Sequence, residues 1–163
     1  LVESVEALQQ LKDEGKIKAW GVSNFDLVDL QELQTISNEC ATNQVLYHLG
    51  SRGIEFALKP MMDALKMPLM AYSPLGHGDT LRTNFATNPV LQQIADEHGA
   101  TIQQILLAWV ICNTNTMAIP KASSVKHMLA NIDSLAINLT EQNLHELNKY
   151  YPAPKYKTPL DEL

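Results

Sequence analysis

The stretch "IKAWGVSNFDLVDLQELQTI", residues 17–36, changes periodicity within four residues. IKAWGV (17–22) is short and mostly apolar, a run of strand type. Leu27, Leu30, Leu33 and Ile36 then recur at helical spacing. Between the two lies SNFD, where Ser23 and Asp26 stand at the separation of a helix capping box. A strand that feeds straight into a helix is the unit from which parallel α/β folds are built.

The unit recurs along the chain. Upstream, Val5, Leu8 and Leu11 mark a helix that Gly15 is placed to stop. ATNQVLYHL (41–49) reads as a second strand, and IEFALKPMMDALK (54–66) as a helix that Pro60 is expected to disturb. MPLMAYSPLG (67–76) is a third strand, broken at Pro74 and Gly76, and the polar residues 76–88 form a loop. Helices follow near 89–98 and 101–113, the second entered through Thr101 and Gln104 at capping-box spacing. TMAIP (116–120) is the fourth strand, 124–135 and 141–150 are the last helices, and YPAPKYKTPLDEL is a tail without helical period. Strands this apolar suit a parallel sheet covered on both faces. Two architectures use such units, an open doubly wound sheet and a stretch of a (β/α)8 barrel. No GxGxxG follows any strand, and GSRG and GHGD do not replace it, so the dinucleotide fold of the open kind lacks its marker.

Composition narrows the function. With 163 residues, 45% of them hydrophobic, the chain can bury one ordinary core. A formal net charge of -6 without a basic run argues against nucleic acid, and no apolar run approaches the roughly 20 residues of a membrane span. Cys40 and Cys112 are isolated, with no CxxC and no His at metal-ligand spacing, so both read as buried structural residues and no metal is expected. That usage suits a reducing, cytoplasmic setting. The Met cluster KPMMDALKMPLM reads as core filling, the charges at 12–14 as a solvated helix face, and His77, His98 and His145 as loop or helix-surface residues. The chain opens on LVESVEALQQLKDEGK, without initiator Met or signal peptide, as a piece of something longer would.

Barrel enzymes carry their chemistry at the C-terminal ends of the strands. Those ends read Ser23 and Asn24; Gln44 with Tyr47 and His48; Tyr72 and Ser73; and Lys121 with Ser123 and Ser124. Polar residues commonly start loops, and that is the plain alternative. Four such ends in succession fit one extended ligand. Asn and Gln each offer donor and acceptor, as a carboxamide requires, and Tyr offers a face for an aromatic ring. Lys121, Ser123 and Ser124 lead into a helix N-terminus, a setting for phosphate. A carboxamide ring at one end and a phosphate at the other describe a nicotinamide dinucleotide.

At these positions the chain resembles the aldo-keto reductases, through GKIKAWGVSNF, NQVLYH, AYSPLG and IPKASSVKHMLANIDSL, in family order and over essentially its whole length. ATNQVLYHLGSRGIE and YPAPK are most similar to bacterial members of the methylglyoxal-reductase type. The resemblance implies the C-terminal half of a (β/α)8 TIM barrel, strands 5–8 with their helices, over residues 1–163, the N-terminal half being absent. It implies that Ser23, Asn24 and Gln44 hold the nicotinamide carboxamide and that Tyr72 stacks on the ring. Ser73, Pro74 and Leu75 match the segment beside the pyrophosphate. Lys121, Ser123 and Ser124 match positions around the 2′-phosphate of NADP, and Asn131 the asparagine near adenine. His127 stands where the family usually has a phosphate-binding arginine, and Ala130 where a glutamate often meets adenine. Arg brings a fixed charge and a bidentate fork that a neutral His lacks, which opens NADH as the alternative; Lys121 is retained, so NADPH is the expected cofactor. The family's catalytic Asp, Tyr, Lys and His belong to the first half of its barrel. No catalytic residue is therefore assigned in this chain, and Tyr47 and His48 are given pocket-wall roles. The implied reaction is hydride transfer from NAD(P)H to a small aldehyde or ketone. Two other readings stay open, a non-catalytic nucleotide-binding regulatory subunit and an inactive truncated remnant. Alone, four βα units leave two open sheet edges, so the chain is expected to pair its edges with another copy, to aggregate, or to be loosely packed.

Overall fold

The computed structural model describes residues 1–76 and 84–163; His77 and most of the loop expected over 76–88 lie outside them. Helix α1 (Val2–Asp13) ends as its composition requires. Gly15 turns the chain at φ +69°, its amide bonds to the Lys12 carbonyl, and the Lys16 amide bonds to that of Leu11. These two bonds satisfy helix carbonyls that would otherwise have no partner.

β1 (Val22–Ser23), α2 (Leu27–Ile36), β2 (Asn43–Leu46), α3 (Leu58–Ala64) and β3 (Leu69–Tyr72) follow. After them come α4 (Pro89–Glu97), α5 (Ile102–Cys112), β4 (Thr116–Ala118), α6 (Val125–Asp133) and α7 (Glu141–Tyr150). The four strands are parallel, in the spatial order β1-β2-β3-β4. Parallel crossovers are right-handed almost without exception, so steps in one direction carry the helices to one face. That winding belongs to a barrel segment and not to a doubly wound sheet.

Register sorts the side chains. Val45 and Ala71 pair with each other, Asn43 pairs with Leu69, and all four are at most 1% exposed. They face Leu30 and Leu33 of α2, Met62 of α3, and Ile105 and Trp109 of α5 in one apolar cluster. Each fully buried side chain of this size stabilises the fold by roughly 1.5–3 kcal/mol. Ser23, Gln44, Met70 and Met117 form the alternate row across the strands. On that row Gln44 and Met70 are half-buried and Met117 is 52% exposed. Leu46, two residues beyond Gln44 on this face, is 1% exposed, so the second face is covered in part and least at β4, short of the full cover expected from the apolar strands.

Several local expectations need correction. The strand expected over 17–22 is reduced to Val22–Ser23; β1 has a single neighbour, and at Gly21 a Cβ would lie 2.7 Å from Thr42. Ser23 does not cap α2. Asp26 does, its carboxylate accepting from the Leu27 amide at 2.7 Å while Asp29 accepts from the Asp26 amide at 2.8 Å. Pro60 does not break its helix, since it lies in the first turn of α3 where a missing N–H is harmless. The break falls earlier, at Ala57, between a 3-10 turn (Gly53–Phe56) and α3. Cys40 is buried but lies beyond the end of α2, and Cys112, the last residue of α5, is exposed. His98 is half-buried and bonds Asn143 at 3.0 Å, joining α4 to α7.

One charged network ties the loop after β2 to two helices. Arg52 grips the Glu55 carboxylate through two nitrogens, at 2.8 and 2.7 Å, and lies 5.0 Å over the Trp109 ring. Its remaining nitrogen donates to Asn148 of α7 and to the Tyr151 carbonyl, while the Tyr47 hydroxyl donates to Glu55 at 2.8 Å. With every charge answered, removing one partner would strand the other in a half-buried site.

No helix among the described residues is long and apolar enough to cross a membrane. The sheet's β4 side is nevertheless strongly apolar. Val125, Met128, Leu129 and Ile132 make a helical stripe on α6, each at least half exposed. Two grooves of about 420 and 770 Å³ continue it along α5 and β4, without a charged lining residue. Exposed surface of this kind seeks cover. Sedimentation of the 163-residue chain is expected to show dimers or larger species, and Leu129→Lys with Met117→Lys should shift them toward monomer. A monodisperse monomer of the unaltered chain would contradict this.

Candidate functional site

The strand ends form one rim. At the end of β1, Asn24 takes the left-handed conformation, φ +55°, which Asn tolerates better than most residues. Its amide donates to the Gln44 carbonyl at 2.9 Å, and the Ser23 hydroxyl donates to the same oxygen at 3.0 Å. The next residue is clamped by Asn43, fully buried, whose side-chain amide donates to the Phe25 carbonyl at 2.7 Å and accepts from the Phe25 amide at 3.4 Å. Sequence reasoning missed Asn43. Its signal was a polar residue on the buried face of an apolar strand. Asn24 itself holds a buried Oδ1 with no hydrogen-bond partner among the described residues. An orphaned buried acceptor costs about 1–3 kcal/mol, so it marks a place where a donor is expected.

Among the described residues the Gln44 side chain donates only to the Met70 sulfur at 3.0 Å, a weak acceptor. Tyr72, two residues beyond Met70 on the same strand, shares that face and is half-buried. Ser73 follows at φ +49°, Pro74 is buried, and the Gly76 amide closes the turn on the Ser73 carbonyl at 2.9 Å. At Gly76, φ +82°, a Cβ would meet Phe85 at 2.6 Å, so only glycine fits. Two non-glycine residues in the left-handed region, at the ends of the strands on either side of β2, are a local strain of the kind found at binding sites.

Past β4, Ser124 caps α6, its hydroxyl oxygen accepting from the His127 amide at 3.2 Å. Leu75, Lys121, His127 and Asn131 line one cavity of about 430 Å³, together with Lys126, Thr101 and Gln103. Its walls are set by Gln104, which accepts from the Thr101 amide at 2.9 Å and donates to the Ala130 carbonyl at 3.0 Å, joining α5 to α6. Ser123 and Ser124 do not line this cavity. The expected residues thus fall into two groups, Ser23, Asn24, Gln44 and Tyr72 near the centre of the rim, and Lys121, His127 and Asn131 at the cavity. Leu75 leads from one toward the other.

Tyr47 and His48 stand apart from both. Each is wholly buried. Burial beside the Glu55 carboxylate pushes the Tyr47 hydroxyl well above its ordinary range. Burial lowers His48 to about 4 against the opposing pull of Asp161, and its Nδ1 accepts from the Gly50 amide at 3.1 Å. No cluster of metal-ligating side chains occurs among the described residues.

The Aldo/keto reductase family profile matches residues 1–152. The chain belongs to the aldo/keto reductase family. It is 50% identical to methylglyoxal reductase YeaE of Escherichia coli over 98% of its own length and 57% of that protein. It is 31% identical to a glyoxal reductase of Bacillus subtilis, over 87% of this chain and 49% of the other. Its fold matches a Klebsiella pneumoniae aldo-keto reductase solved in complex with NADPH, with TM-score 0.96 and 44% identity, over 99% of this chain and 58% of that one. The chain spans about half the length of the curated relatives it matches.

The C-terminal tail closes over the β1 side of the rim: Lys157 pairs with Asp26 at 2.8 Å, and Ser51 donates to Asp161. Partial burial disfavours the Asp26 charge, but the Lys157 ammonium and the Leu27 amide outweigh it and hold the carboxyl below its usual 3.8. A depressed folded value means stability present above pH 3.8 and lost as pH falls below it. Asp26→Ala should cost about 1 kcal/mol in urea unfolding near pH 7, from lost capping. The gap to the unaltered chain should shrink toward pH 3; a pH-independent gap would show that the carboxylate charge is not involved.

Proposed function

We propose that residues 1–163 form the C-terminal half, strands 5–8 with their helices, of an NAD(P)H-dependent aldo-keto reductase, and that this half holds the cofactor. The observation that carries the proposal is the buried, unpartnered Oδ1 of Asn24, on the same rim as the cavity lined by Lys121. A carboxamide N–H answers that acceptor, and the Gln44 amide, bonded only to a sulfur, can turn to the same group. Tyr72 offers its ring face for stacking, Ser73 to Leu75 border the middle of the ligand, and Lys121 with the first amides of α6 takes phosphate. Asn131 lines that cavity too, where adenine would rest. The NADPH in the Klebsiella structure's description supports this cofactor, and the glyoxal and methylglyoxal reductases support small carbonyl compounds as substrates.

Bound on this rim, reduced nicotinamide supplies the hydride. This chain's residues would fix the ring so that one face meets the carbonyl carbon, which is where binding geometry lowers the barrier. The proton is assigned to a residue outside this chain. Tyr47 donates its hydroxyl hydrogen to Glu55 and His48 is enclosed, so neither is placed to donate to a ligand on the rim.

Binding separates the two ends of the ligand. Tyr72→Ala should weaken NADH and NADPH equally, by roughly 1–2 kcal/mol, because stacking does not sense the 2′-phosphate. Lys121→Ala should weaken NADPH alone, by about 1.5–3 kcal/mol. Methylglyoxal reduction by the 163-residue chain should remain at background. A loss confined to NADPH in Tyr72→Ala would reverse the ligand's direction, and robust turnover would place the proton donor within this chain.

A further inference from the structure

The expected arginine for the 2′-phosphate is replaced by His127, yet the cavity is not short of charge. Two lysines line it, Lys121 after β4 and Lys126 in the first turn of α6. No acidic side chain lines it among the described residues, in a chain whose net charge is -6. Neither lysine has an ion-pair partner among the described residues, a state they share with Lys18, Lys66 and Lys155, but only these two line a common cavity. Lys126 is also badly placed for helix stability, because a cation in a first turn opposes the helix dipole, and α6 carries no acidic residue there to offset it. α1, α2 and α7 carry an acidic residue in the same turn. α3, α4 and α5 carry none, but none of these three has a cation in its first turn other than Lys59 of α3, which is paired with Asp63. The His127 amide is already taken by the Ser124 hydroxyl, so α6 has less backbone left to offer an anion than its N-terminus suggests.

We infer that Lys126 is a second 2′-phosphate-binding residue, and that discrimination between NADPH and NADH rests on the lysine pair Lys121 and Lys126. The inference rests on the cofactor site proposed above and adds to it a residue that the family resemblance did not supply. Lys126 then supplies, beside the retained Lys121, the charge that the missing arginine's planar fork would bring. Ammonium groups supply charge with less demand on geometry, so the site recognises a phosphate dianion as such. His127 then forms wall and not anchor.

All the lining residues of this cavity belong to this chain, so it can be tested on the chain itself with adenosine 2′,5′-bisphosphate and ADP as probes, by calorimetry. Lys126→Ala should weaken the 2′,5′-bisphosphate about five- to tenfold, a modest loss suited to an exposed charge, and leave ADP within about twofold. Lys126→Arg should restore most of the loss, which a merely structural role would not require. If Lys121→Ala abolishes the preference for the 2′-phosphate while Lys126→Ala leaves it intact, the cofactor site stands and the role of Lys126 is overturned. If the unaltered chain does not favour the 2′-phosphate over ADP, the cofactor reading itself fails and the inference with it.

Discussion

The parallel, in-register pairing of β2 with both its neighbours is the constraint on which the rim depends. Asn43 lies beside Val22 and Leu69, and Gln44 beside Ser23 and Met70. Side-chain period in a strand is two, so a slip of one residue would turn Gln44 and Tyr72 into the helix-covered core and bring Val45 and Ala71 to the rim face. Burial of Val45, Leu69 and Ala71 against α2, α3 and α5 forbids that slip. Core packing and site geometry are thus one constraint: the apolar row cannot be buried without presenting the polar row.

On this frame the ends of the strands divide the work. Near β1 and β3 the backbone is held in left-handed turns at Asn24 and Ser73, and the polar groups are neutral. Past β4 the side chains are exposed and cationic. Neutral donors and acceptors in partly buried positions suit a carboxamide and an aromatic ring, while mobile ammonium groups at a helix start suit phosphate. The sheet's other open quantity is its partly covered face. Met70 and Met117 on the inner row and the α6 stripe are apolar surface without full cover, and the relatives are nearly twice as long.

The βα order was legible in the sequence because each strand is a short, mostly apolar run and several helices carry a start signal. Thr101 with Gln104 forms the capping box that its spacing predicts, and Gly15 takes the positive φ expected of a helix stop. Ser23 misled because two acceptable caps stood three residues apart; Asp26 won, having Asp29 to complete the reciprocal bond and Lys157 to balance its charge. That ion pair joins residues too distant in the chain for any local pattern to announce. The same holds for the cavity. Lys121, His127 and Asn131 were expected near one ligand on family resemblance, but Lys126, Thr101 and Gln103 enter it only because Gln104 joins α5 to α6. The partial cover of the second sheet face was not legible either, since a strand in a closed barrel and a strand in half of one have the same composition.

The central claim is that one dinucleotide lies along the rim from Asn24 to Asn131. Amide-resolved NMR titration of the ¹⁵N-labelled chain with NADP⁺ tests it most directly. The account predicts perturbations at Asn24, Gln44, Tyr72 and Ser73 together with Lys121 and residues 125–131, saturating at a single ligand concentration. Perturbations confined to the apolar grooves along α5 and β4, or two sets that saturate independently, would contradict it.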